Sequence, residues 1–99
     1  MFVKNMTSSR TGNEVANQFV LFFSNAQVFQ SYKTIIAMID NTGKLWVTPD
    51  WEASKTTMKY FKEFANTTAS AKEIRGRIEE GRYKMCNAND IRAFVEGKA

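Results

Sequence analysis

The 99-residue chain has no histidine and a single cysteine. Zinc sites draw on clusters of Cys and His, serine and cysteine hydrolases rely on a His base, and an internal disulfide needs a second thiol. None of these can be assembled, so the sequence predicts no metal site, no cofactor and no enzyme. The lone Cys86 suits a reducing compartment as a small, partly buried apolar residue, which makes the cytoplasm the expected location. Long apolar runs are also missing. The longest, residues 19–23 and 35–39, are five residues each, far short of a bilayer span. The first residues hold no seven-residue apolar stretch and no small-residue cleavage site, so the sequence reads as unprocessed.

What is present is the composition of one folded domain: 43% hydrophobic, 13% aromatic and 24% charged, with five Gly and one Pro. The length suits a single core and leaves too little chain for two. Residues 1–17 are polar, with Ser8-Ser9, Gly12 and three Asn, and their apolar residues follow neither a period of two nor one of 3.6. They read as a flexible N-terminal arm that carries Arg10, ahead of a domain over 18–99.

From Gln18 onward aromatic and β-branched residues gather. Residues 19–23 predict a strand that ends at Ser24-Asn25. Residues 26–32 and 34–39 continue the β composition, read as one long strand bent near 31–33. Asp40-Asn41-Thr42-Gly43 then predicts a hairpin loop, and Leu45-Trp46-Val47 the returning strand. Consecutive strands with short loops imply an antiparallel meander.

Pro49 ends that run and the period changes. Ser54 predicts a helix cap, with Thr57, Met58, Phe61, Phe64 and Ala65 on one face and Lys55, Lys59, Lys62 and Asn66 on the other. Ser70-Ala71-Lys72-Glu73 is a capping box for a second helix that turns Ile74 and Ile78 inward and stops at Gly81. Residues 83–86 read as a short strand. Asn87 or Asn89 caps a last helix carrying Ile91, Phe94 and Val95. The fold class is α+β: a small antiparallel meander sheet with two or three helices packed on one face.

Both faces of the predicted strands are apolar, since Val20 and Phe22 oppose Phe19, Leu21 and Phe23. The arm, the last helix, a second copy in a homodimer or another partner must cover the second face, because apolar patches of that size are uncommon on monomers.

The net charge of +4 comes from residues 53–78, where Lys55, Lys59, Lys62, Lys72, Arg75 and Arg77 stand against Glu63 and Glu73. Lys55, Lys59 and Lys62 form one basic stripe, which attracts phosphate or an acidic protein surface. A solvated helix face has the same pattern, and Glu73 with Arg77 and Arg75 with Glu79 are spaced to pair along the second helix. Trp51 and Tyr60 flank the stripe as candidate aromatic platforms for nucleic acid, although large rings beside a helix more often join a core. The candidate partner-binding set is therefore Lys55, Lys59, Lys62, Lys72, Arg75, Trp51 and Tyr60. Asp50, Glu52 and Lys55 bear the residue types of a metal-dependent nuclease. Their spacing is wrong for one, and two acids at a helix start favour the helix dipole instead.

Ser9-Arg10-Thr11-Gly12, Asn17-Gln18-Phe19, Phe29-Gln30-Ser31-Tyr32, Ile36-Ala37, Trp51 and Ser54-Lys55-Thr56-Thr57 with Lys59-Tyr60 together resemble a family of small uncharacterised proteins encoded by tailed bacteriophages. The resemblance spans about residues 9–64. Relatives often carry Asp-Tyr after the Trp, where this chain has Glu52-Ala53. The resemblance implies a phage accessory protein, made in the bacterial host cytoplasm, that acts by occupying a host machine. The expected function is that of an inhibitor or adaptor bound to a host protein or nucleoprotein complex that processes nucleic acid or serves defence. Sequence-nonspecific nucleic-acid binding is the alternative. No membrane partner is expected, and the positive charge argues against mimicry of DNA.

Overall fold

A computed structural model describes residues 1–8 and 10–97. Ser9 of the predicted arm and residues 98–99 of the predicted domain lie outside the described residues. The β-rich runs fold back on one another into β1 (Phe2–Thr7), β2 (Glu14–Phe22), β3 (Ala26–Ser31), β4 (Thr34–Asp40) and β5 (Leu45–Val47). A 3-10 turn over Pro49–Glu52 leads to α1 (Lys55–Phe64) and α2 (Ala71–Glu79). The chain then returns as β6 (Lys84–Met85) and ends in α3 (Ala88–Val95). The sheet keeps sequence order from β1 to β6. Its first four pairings are antiparallel, and β6 joins β5 in parallel after the helical crossover.

Two sequence expectations are corrected here. The arm is not free: residues 2–7 form an edge strand on β2, with Val3 opposite Leu21 and Lys4 opposite Val20. Its apolar residues lack a clear period because only one long side is paired and the register shifts after Asn5. Nor do residues 26–39 form one bent strand. Ser31 pairs with Thr34, so β3 and β4 make a tight hairpin across Tyr32 and Lys33.

The register explains where the core lies. Val20, Phe29, Ala37 and Val47 stand side by side across four strands. Phe29, Ala37 and Val47 pack with Trp51, Phe61, Phe64 and Ile74 from the turn, α1 and α2. One residue along, Leu21, Val28, Met38 and Trp46 line the opposite face, where Ile91 and Phe94 of α3 cover them. The helices thus cover both faces rather than one. Strands whose two faces are apolar can be buried only between two layers, and α3 supplies the second.

Local signals in the sequence set the helix starts. Ser54 accepts the Thr57 N–H at 3.0 Å. Ser70 and Glu73 form a reciprocal capping box, as do Asn87 and Asp90. Gly81, at φ +78°, ends the α2 segment in the left-handed conformation that glycine adopts without steric cost.

Candidate anion-binding face on α1

Helix α1 has a buried side of Thr57, Tyr60, Phe61 and Phe64 and an outer side that carries the lysines. Lys55 and Lys59 are exposed, and Lys62 is half-buried. Among the described residues the ion pairs join Arg75 to Glu52 and Arg82 to Glu80, so no carboxylate neutralises the three α1 lysines at contact distance. Lys59 Nζ lies 5.2 Å from the centre of the Tyr60 ring. Beside Lys62, a cleft of about 420 Å³ is lined by Glu63, Asn66, Thr67 and Thr68. Lys72, on α2, is exposed and forms no ion pair among the described residues.

Other members of the predicted set are placed differently. Trp51 is 2% exposed and Tyr60 6%, so neither ring is a platform for a ligand. Trp51 packs against Phe61 with ring centres 5.6 Å apart. Burial of Tyr60 follows from spacing, since positions 57, 60, 61 and 64 share the inward stripe of a 3.6-residue period. Arg75 is tied to Glu52 by hydrogen bonds of 2.8 and 3.3 Å, and its guanidinium carbon lies 5.9 Å from the Trp51 ring centre. Hydrogen bonding and charge attraction from Glu52 raise the Arg75 pKa.

Neither pairing expected along α2 closes to an ion pair, although Arg77 attracts the Glu73 charge. Glu73 closes the cap at Ser70, whose backbone N–H and side chain hold its carboxyl below the ordinary range. Arg77 donates to Thr67 Oγ1 at 3.0 Å and to the Tyr83 hydroxyl at 2.7 Å.

Two residues absent from the predicted set join this region. Ser31 Oγ lies 3.4 Å from Thr57 Oγ1, which also takes a hydrogen bond from Ser54. This contact sets the β3–β4 turn, with Tyr32 and Lys33, beside the first turn of α1. Tyr32 is 61% exposed. The β composition runs through Tyr32 and leaves only Lys33 between the two runs, one residue short of hairpin spacing, so the turn was not readable from it.

The fold and this face define the chain as a small α+β protein with a cationic helix side whose lysines, among the described residues, form no ion pair at contact distance. Among the described residues no helix is long and apolar enough to cross a membrane, and no cluster of three metal-ligating side chains occurs. Residues 1–81 match the model of DUF8033, a family of unknown function, and the chain belongs to that family. The matched span begins at the β1 segment and closes after α2, so β1 lies within the family's common region and α3 outside it. No curated protein and no solved structure matches the chain.

Proposed function

We propose that this protein is a non-enzymatic phage accessory protein. It binds the anionic surface of a host complex that processes nucleic acid or serves defence, as an inhibitor or adaptor, and works in the host cytoplasm. The observation that carries this reading is the outer side of α1, where, among the described residues, Lys55, Lys59 and Lys62 meet no carboxylate within ion-pair distance. Such a stripe concentrates positive potential on one side of a small molecule and steers polyanionic partners to it. Lys72 extends the charge onto α2, whereas Arg75, held by Glu52, adds little to it.

The test is capture of partners from bacterial lysate by the wild type and by a variant with Lys55→Glu, Lys59→Glu and Lys62→Glu, each with and without nuclease treatment. The proposal expects a defined host complex on the wild type that is lost from the triple variant. Equal capture by both proteins would overturn it.

A further inference from the structure

Tyr32 combines three properties that seldom coincide. The residue is 61% exposed. Its backbone lies at φ +55°, in the left-handed region that bulky residues avoid. Both of its main-chain groups are nevertheless held: its N–H donates to Asn17 O at 2.6 Å, and its carbonyl accepts from Gln30 Nε2 at 2.8 Å. In a two-residue hairpin with positive φ at the first central position alone, glycine is the favoured residue there. This chain places an aromatic ring at that point and pins the backbone beneath it, and strained backbone of this kind gathers where a side chain must be presented.

The surroundings identify what the ring faces. Lys33 follows it in the turn, and Lys55 opens the helix whose first turn touches Ser31. Its turn neighbours Asn17, Lys33 and Thr34 are exposed and polar, and Gln30 is half-buried. With these polar neighbours and the cations of Lys33 and Lys55, a partner that offers both a flat surface and negative charge suits the ring. An unpaired nucleobase on its phosphate chain supplies both. A duplex does not, because its bases are already stacked. Phe2, the other exposed ring among the described residues, is stacked on Phe22 at 4.6 Å and has one face occupied.

We infer that Tyr32 is the stacking residue of a single-stranded nucleic-acid site, where its ring takes one unpaired base and Lys33 and Lys55 serve the neighbouring phosphates. The inference rests on the proposed polyanion-binding role of α1 and names the part of the partner that this end of the face touches.

Fluorescence anisotropy with a labelled oligothymidylate and with an abasic strand of equal length separates stacking from charge. The wild type is expected to bind the thymidine strand more tightly. Tyr32→Gly should lose about five- to a hundredfold on that strand, down to the abasic level. It should melt no lower than the wild type, since glycine relieves the positive φ. Tyr32→Phe should keep the preference. The triple Glu variant at Lys55, Lys59 and Lys62 should weaken both strands alike. A wild type that binds neither strand, or both equally, overturns the inference, as does a Tyr32→Gly protein that keeps the preference. Loss of both strands in the triple variant with no base preference in the wild type removes Tyr32 and leaves the α1 reading standing. A base preference that depends on Tyr32 while the triple variant binds normally removes the α1 reading and the part assigned to Lys55, and leaves the stacking role of Tyr32 standing.

Discussion

Arg75 on α2 reaches Glu52 in the 3-10 turn with a 2.8 Å Nη2–Oε1 contact and lies across the buried Trp51. One cation is thereby withdrawn from the basic surface and used to tie α2 to the entrance of α1. The division of labour among the positive residues follows from what each can reach: Arg75 and Arg77 have protein acceptors, whereas among the described residues Lys55, Lys59 and Lys62 have none at contact distance.

Arg75→Ala should leave partner capture unchanged and lower the melting temperature slightly. Both groups are substantially exposed, so water and salt screen the pair. The difference between wild type and variant should shrink as ionic strength rises. Thermal melts at two salt concentrations check this, and a large salt-independent loss would show that packing on Trp51 dominates.

Ile91→Ala should destabilise the fold by about 2–5 kcal/mol, the range for truncating a fully buried aliphatic side chain. Ile91 has no exposed surface and holds α3 against Val28, Met38 and Trp46. Urea denaturation gives the magnitude. Partner capture well below the transition should survive, because α1 lies on the other side of the sheet.

Asp40 carries a pH dependence. Burial opposes its charge, yet hydrogen bonds from the Thr42 hydroxyl, the Trp46 indole and the N–H groups of Thr42 and Lys44 outweigh that cost. The carboxyl is held below its ordinary value of 3.8. A lowered folded pKa means that the charged form stabilises the fold. That contribution is present above about pH 4 and is lost as acid carries the pH through the folded value. Wild-type stability should therefore fall more steeply than that of Asp40→Asn below pH 4, as read from urea midpoints.

Cys86 behaves in the opposite sense. Burial first, and then the nearby Asp90, push its thiol from 9.0 up to about 11. The folded state favours the neutral thiol, so its contribution is present below about pH 9 and lost as the pH rises toward 11. At pH 8, native protein should react with iodoacetamide roughly ten- to a hundredfold more slowly than urea-unfolded protein, because the thiolate fraction falls about tenfold per pKa unit. Equal rates would contradict the burial of this group.

Features set by neighbours along the chain could be read directly. The caps at Ser54, Ser70 and Asn87 are contacts across three residues, and the β4–β5 loop is closed by Asp40 on groups two and four residues away. Such contacts depend on residue type and spacing alone, as does the placement of three lysines on one side of α1. The inward turn of Tyr60 was equally available from its spacing to Thr57 and Phe64.

Only the tertiary structure decided the rest. Phe2–Thr7 is a strand because β2 offers it an edge, and nothing within the segment specifies that pairing. Arg75 finds Glu52 rather than Glu79 because packing brings together groups 23 residues apart. The β3–β4 turn meets α1 through Ser31 and Thr57, which sets the turn that holds Tyr32 beside the first turn of the helix. Backbone propensity and side-chain period act over a few residues, so the sequence by itself determined the helices, most of the strands and the sign of their charge. Which elements meet depends on burying both apolar faces of the sheet at once, and that condition is satisfied only when the whole chain has folded.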